Sequence, residues 1–120
     1  MKETIEYRVV DWAAITKTEH KGEQGVAYWQ SLQIGDLRVR IVEYSKGYVA
    51  DHWCQKDHIE HCQVGEFANE LHDGTKQLLT KGMTYIVSDN MSSHRSSTET
   101  GVRLLIIDGD FLKSETNLPV

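Results

Sequence analysis

The chain has 120 residues, of which 39% are hydrophobic, and a formal net charge of −5. This length suits one domain with a single core. Because Lys and Arg are scattered and the net charge is negative, the sequence lacks the basic surface that nucleic-acid binding needs. No apolar run approaches the roughly 18 residues of a membrane span, and no secretory signal pattern is recognisable. We therefore expect a cytoplasmic protein with no nucleic-acid or membrane partner.

Short strands separated by turn residues make up the predicted architecture. Strands are predicted over residues 27–34, 38–44, 59–64, 66–71, 76–79, 83–88 and 102–107. The pair Asp73-Gly74 predicts a tight hairpin turn between the fourth and fifth of these strands. Strands at this spacing, without a competing helical pattern, indicate an all-β sandwich or barrel. We predict one domain with an N-terminal arm (residues 1–26), a barrel (27–110) and a C-terminal tail (111–120).

The segment from residue 51 to residue 58 holds three candidate metal ligands. His52 and Cys54 are two residues apart, so on an extended segment their side chains leave the same face. The polar residues 55–57 suit a tight reversal, after which residues 59–64 would return beside the first segment and place His58 across from Cys54. A later strand leads to His94, the fourth donor. Together His52, Cys54, His58 and His94 predict a metal site.

These residues resemble the two motifs of the cupin superfamily. The first motif is matched by Gly47, His52, Cys54, His58 and Gly65, and the second by Gly82 and His94. Cys54 stands where the family has its second His, and His58 stands where it has Glu. Residues 89–93 replace the usual Pro-Gly turn before the last His. The resemblance implies a single small cupin barrel, which is a double-stranded β-helix or jelly roll.

A narrower resemblance involves residues 50–58 and 93–98. These segments are similar to small bacterial proteins called DHCW motif cupin fold proteins, and the likeness extends to residues 28–29 and 38–44. That group offers no reaction that can be transferred to this chain. In cupins an N-terminal arm often packs on a second subunit, so the resemblance implies a homodimer. Trp12, Tyr28 and Trp29 are anchors either for that interface or for one end of the barrel.

The donor set indicates the class of metal. Three imidazoles and one thiolate favour a divalent transition metal, zinc or iron above all, with nickel and copper also compatible. Zinc held by all four residues would form a closed, structural site, whereas iron would leave two positions open. If Cys54 stands off, three histidines and a water form a catalytic zinc pattern. In the alternative without a metal, the same side chains line the barrel and are held by hydrogen bonds.

Two residues after His58, Glu60 shares its face of the strand and is the predicted catalytic residue. It would act as an acid–base group or as an acceptor for an imidazole N–H, and the alternative is a solvated acid at a strand end. Cys62 shares this face and is expected to be a barrel-lining thiol. His61 points the other way and is expected at the surface or an interface.

Three further residues are candidates for binding a small organic molecule. Arg40 and Arg95 could each bind a carboxylate through two parallel hydrogen bonds, although charges on strands more often face solvent. Tyr85 is a candidate for the cavity wall. The predicted function is a metal-binding cupin that acts on or binds a small molecule. A non-catalytic metal-binding or ligand-sensing module, a structural metal site and a metal-free barrel are the alternatives, because the fold does not decide between them.

Overall fold

The computed structural model describes residues 4–88 and 90–109, so the predicted tail, 111–120, lies outside the described residues. The elements of this part of the chain are strands and one turn of 3-10 helix, and none is a helix long and apolar enough to cross a membrane. The strands are β1 (Thr18–Lys21), β2 (Val26–Ile34), β3 (Leu37–Tyr44), β4 (His58–Leu71), β5 (Lys76–Thr80), β6 (Thr84–Val87), β7 (His94–Ser97) and β8 (Val102–Asp108). The predicted all-β class is confirmed.

Strand β4 belongs to both sheets of the barrel. Its first half pairs antiparallel with β6 and β8, and its second half pairs with β5 and β7. The register against β8 shifts between Cys62 and Val64, and Gly65 has a φ of +83°. This bulge and the left-handed glycine bend the strand across the corner of the barrel. The prediction of two strands, 59–64 and 66–71, is therefore wrong, because Gly65 bends one continuous strand rather than ending it.

The core is formed by alternate residues of neighbouring strands. On β8 the side chains of Val102, Leu104 and Ile106 are buried, and the residues between them are partly exposed. They pack with buried residues of the other strands, among them Val42, Cys62, Phe67 and Leu79. This alternation is the period of two that a strand with one buried face requires. Cys62 is completely buried, as predicted for a thiol inside the barrel.

The N-terminal segment is partly joined to the barrel. Strand β1 pairs with β2, so the sheet extends into the predicted arm. The 3-10 turn, Trp12–Ala14, is tied to β2 because the side-chain amide of Gln30 donates to the carbonyl oxygens of Trp12 and Ile15, at 2.6 and 3.0 Å. Before this turn, the side chains of Tyr7 and Val9 are 93% and 78% exposed. The homodimer stays a prediction.

We expect the substitution Gly65→Ala to lower the free energy of unfolding by about 3 kcal/mol or more. A Cβ at this position would lie 2.3 Å from the carbonyl oxygen of Gly101 and 3.1 Å from the Cα of Val102, and neither backbone atom can move aside cheaply. The matched control is Gly74→Ala, where φ is +90° but no atom lies within 4 Å. This control should cost only the left-handed backbone term, about 1–2 kcal/mol. If urea unfolding shows that both variants lose the same free energy of unfolding, the close backbone contacts of Gly65 do not limit the residue at this position.

Candidate metal site and ligand cavity

Backbone hydrogen bonds bring Cys54 and His94 together. The N–H of each residue donates to the carbonyl oxygen of the other, at 2.8 and 3.0 Å, in an isolated antiparallel bridge. Directly opposed residues of an antiparallel pair place their side chains on the same face. The sequence analysis predicted that residues 59–64, the first half of β4, pair with the segment that holds Cys54, and this prediction is wrong. The first half of β4 already forms its hydrogen bonds with β6 and β8, so Cys54 pairs with His94 instead.

His58 reaches the same point from the start of β4. Its Nε2 lies 3.2 Å from the Sγ of Cys54, and its ring centroid lies 5.2 Å from that of His94. One ligand-type atom from each of the three residues lies within 4.8 Å of the other two. Ligand atoms around a single tetrahedral zinc stand about 3.5 Å apart. Small side-chain rotations would therefore close these three donors around one ion.

Burial sets the protonation state of this cluster. His58 and His94 are only 5% and 3% exposed, and loss of solvation lowers the pKa of His58 to about 3 and also lowers the pKa of His94. Both imidazoles are thus neutral near pH 7, which is the form that binds metals. Burial raises the pKa of the Cys54 thiol, so a metal would displace its proton on binding.

An unpaired nitrogen of the cluster, Nε2 of His94, fits a metal ion. Nε2 of His94 and Nδ1 of His58 are buried and have no hydrogen-bond partner. The other ring nitrogen of His94, Nδ1, lies 3.2 Å from the carbonyl oxygen of Ser92, an outer contact of the kind that orients a ligating imidazole. A buried nitrogen without a partner costs free energy. A metal at Nε2 would remove that cost for His94.

His52 lies outside this cluster. Its side chain is 74% exposed and its Nδ1 lies 2.6 Å from a carboxylate oxygen of Asp51. The prediction for His52 assumed an extended segment, but residues 51 and 52 form a bend, so a spacing of two does not place it beside Cys54. It lines the cavity next to the cluster. The structure thus brings together three of the four predicted ligands, namely Cys54, His58 and His94.

A cavity of about 160 Å³ lies against the three donors. Its wall combines aromatic rings with positively charged side chains. The aromatic side chains are Trp29, Tyr44 and Tyr48, and the cationic ones are Arg38, Arg40, Lys56 and Arg95. Tyr44 and Tyr48 are stacked, with ring centroids 4.2 Å apart, and burial raises the pKa of both phenols.

Glu60 lies on the wall of this cavity and is only 3% exposed. Tyr85, which faces it across β4 and β6, donates a hydrogen bond to Oε2, and Oε1 has no partner. Burial raises the pKa of Glu60 to about 7, although the hydrogen bond from Tyr85 opposes this shift. A carboxyl group with such a pKa can take up and release a proton near neutral pH. The alternative of a solvated acid at a strand end is wrong because the side chain is buried.

The predicted binding residues have different surroundings. Tyr85 contacts Glu60 but lines a neighbouring, mostly apolar cavity of about 260 Å³. Arg95 lines the first cavity, and its guanidinium is engaged by the carboxylates of Glu23 and Glu70, at 3.4 and 3.3 Å. Arg40 lines the first cavity as well and is 5% exposed, so it is the candidate cation that is fully inside the barrel.

Asp108 is a site residue that the sequence analysis missed, and Trp29, expected as an anchor for an interface or one end of the barrel, lies on the cavity wall. Asp108 is 3% exposed and accepts two short hydrogen bonds from Arg38, at 2.9 and 3.2 Å, and a longer one from Arg40, at 3.5 Å. The guanidinium of Arg40 lies over the ring of Trp29, with its Cζ 4.5 Å from the ring centroid. The spacing of the two arginines shows that they share a face of β3. The pairing of β3 with β8 is not visible in the sequence.

The architecture is similar to that of solved cupin-type proteins. A predicted oxalate decarboxylase from Thermotoga maritima has a TM-score of 0.72 at 15% identity, over 85% of this chain and 98% of that one. An RmlC-like cupin from Shewanella frigidimarina has a TM-score of 0.67 at 20% identity, over 94% and 97%. Ectoine synthase from P. lautus has a TM-score of 0.70 at 16% identity, over 86% and 78%. The predicted small cupin barrel is therefore confirmed as the fold. Comparisons with protein-family models and with curated proteins give no match.

We expect the substitution Asp108→Asn to lower the free energy of unfolding by about 3 kcal/mol, because it leaves two arginines without their shared buried carboxylate. The control is Glu43→Gln, which breaks the exposed ion pair with Lys17 and should cost about 0.5 kcal/mol or less. Urea unfolding at neutral pH measures both. Losses of similar size would show that Asp108 does not balance charge in the interior.

Proposed function

We propose that this cupin-fold protein binds a divalent transition metal through Cys54, His58 and His94, and that a small organic molecule binds at the metal in the adjoining cavity. The buried Nε2 of His94, without a partner and close to a thiol and a second neutral imidazole, is the observation that carries this proposal. Three of the four ligands expected from the cupin motifs meet at one point. Their agreement with the motif spacing supports a metal site over a barrel that is merely lined by polar groups.

The donor chemistry limits the choice of metal. One thiolate and two imidazoles are typical ligands for zinc or iron, and they also suit nickel and copper, while magnesium, calcium and manganese prefer oxygen. A structural zinc site is closed by four protein ligands, whereas a catalytic one has three and keeps a position for water or substrate. Because the structure gathers three donors beside a cavity, it supports an open site. When bound, such a metal polarises an oxygen of its ligand.

Glu60 is the proposed acid–base group of this site. It lies two residues beyond His58 on the same face of β4, is buried, and leaves Oε1 free. Tyr85 holds the other carboxylate oxygen and so fixes the orientation of the group. A molecule in the cavity would meet Oε1, where a proton can be accepted or released. We therefore propose proton transfer on a metal-bound molecule as the type of reaction, with a non-catalytic binding module as the alternative.

We also propose that the chain belongs to the DHCW motif group, forms a homodimer and lies in the cytoplasm. Membership of the DHCW motif group is supported by residues 50–58 and 93–98, which supply the candidate ligands. A homodimer is supported by the exposed Tyr7 and Val9 in the segment before the 3-10 turn, since large apolar side chains on an arm are suited to an interface. A cytoplasmic location agrees with a free thiol as a metal ligand, because reducing compartments keep thiols reduced.

We expect Cys54→Ser to lose most of its bound metal and Cys62→Ser to keep it. Cys54 lies 3.2 Å from His58, while Cys62 is buried in the apolar core and its thiol faces the carbonyl oxygen of Gly65. We also expect His52→Ala to retain metal, because its side chain is 74% exposed and lies outside the three-donor cluster. The measurement is elemental analysis of protein purified without a histidine tag, together with the thermal shift on addition of zinc or iron.

Three results would count against this proposal. Equal loss of metal in both cysteine variants would remove the distinction between ligand and core thiol. If His52→Ala loses as much metal as Cys54→Ser, His52 is a fourth ligand, as the sequence analysis expected. A wild-type protein that contains no transition metal, and whose melting temperature does not change with any of these metals, would leave the barrel without a metal function.

A further inference from the structure

The cavity beside the metal donors has four cationic side chains on its wall and one carboxyl group, that of Glu60. Arg38 and Arg40 lie on the inward face of β3 and share a single carboxylate, that of Asp108. Arg38 holds both oxygens of this group with its Nε and makes the shortest contact, 2.9 Å, with its Nη2. The single hydrogen bond from Arg40 to Asp108 is 3.5 Å long, at the limit for such a bond. Asp108 is thus mostly paired with Arg38.

Arg40 is left with unused hydrogen-bonding capacity. Its side chain is 6% exposed, and its Nε is buried without any partner. A guanidinium has five N–H donors and stays charged in proteins, and a buried donor without a hydrogen-bond partner is costly. The ring of Trp29 covers the guanidinium 4.5 Å away, which offsets part of this cost through a cation–π contact but accepts no strong hydrogen bond.

Glu60, the remaining acid on the cavity wall, does not take up this charge. Among the described residues, Asp108 is the only carboxylate within 4.0 Å of the Arg40 guanidinium. The carboxylate of Glu60 is farther away than this limit. The hydrogen bond that Glu60 does form comes from Tyr85. Lys56 adds a further positive charge to the cavity wall, and its nearest carboxylate is the buried Asp57, at 3.4 Å. Arg40 is thus a buried, directional cation whose one ion pair among the described residues is the 3.5 Å contact with Asp108.

We infer that the molecule bound in this cavity is a small carboxylate, and that Arg40 is the residue that binds its carboxylate group. The inference rests on the proposed function in one respect, since another oxygen of the same molecule would bind the metal. A planar carboxylate accepts two parallel N–H bonds from a guanidinium fork, and it would satisfy the free Nε. The cavity measures about 160 Å³, and a buried space of about 150 Å³ holds a molecule the size of benzene. The ligand is therefore small.

Glycolate and glycolamide are suitable probes, because they have nearly the same size and the same hydroxyl group and differ in charge. We expect the zinc-loaded protein to bind glycolate at least tenfold more tightly than glycolamide in isothermal titration calorimetry. Arg40→Met should remove this preference while the zinc content stays unchanged, since the aliphatic stem still packs on Trp29. Arg40→Lys should keep part of it, because the charge remains and the fork is lost. The control is Arg103→Met, whose guanidinium contacts Gln63 at 3.2 Å and lies outside the cavity wall.

Equal binding of the two probes by the wild-type protein would overturn the inference, as would an Arg40→Met variant that keeps the tenfold preference. Elemental analysis of each sample separates this outcome from failure of the metal site. If the wild-type protein holds no metal, the same titrations are made on the metal-free protein. A glycolate preference that depends on Arg40 then still supports the inference, while the proposed metal function fails. If Arg40→Met does not fold, Arg40→Lys and the comparison of the two probes decide the matter.

Discussion

The whole site depends on strand β4, which bends at Gly65 and hydrogen-bonds to partners in both sheets. Successive side chains of a strand point to opposite faces, so the register of its first half decides what the barrel contains. That register puts His58, Glu60 and Cys62 inside. A slip by one residue would send all three to the surface. The pairs with β6 and β8, and the bulge after Cys62, oppose such a slip.

The interior divides into an apolar end and a polar end. Around Cys62 and Leu104 the packing is that of an ordinary core. Towards His58 and Arg40 the barrel buries two neutral imidazoles, the carboxyl groups of Glu60 and Asp108 and a guanidinium, and several polar atoms of these groups have no hydrogen-bond partner. Such groups lower stability unless a ligand satisfies them. Because buried polar groups without partners concentrate at functional sites, this end of the barrel is where a metal and a carboxylate would gain most free energy by binding.

Local patterns in the sequence predicted much of this. The strands predicted over 38–44 and 102–107 and the Asp73-Gly74 turn between β4 and β5 depend on neighbouring residues, and the structure agrees with them. The donors Cys54, His58 and His94 were found through motif spacing. His52 and Asp108 are residues whose positions could not be predicted from local sequence patterns. A spacing of two fixes a shared face only in an extended segment, and the chain bends at His52. The contact of Asp108 with Arg38 crosses 70 residues of sequence, and only the sheet topology brings them together.

X-ray absorption spectroscopy of protein loaded with one equivalent of zinc would identify the metal ligands, because it counts the atoms around the ion. We expect one sulfur at about 2.3 Å, from Cys54, and nitrogen or oxygen ligands at about 2.0 Å, with two imidazoles among them. At least one of the light ligands should be exchangeable, as expected for a site with three protein donors. A first shell without sulfur, or one with three imidazoles, would contradict the assignment of Cys54, His58 and His94 as the metal ligands.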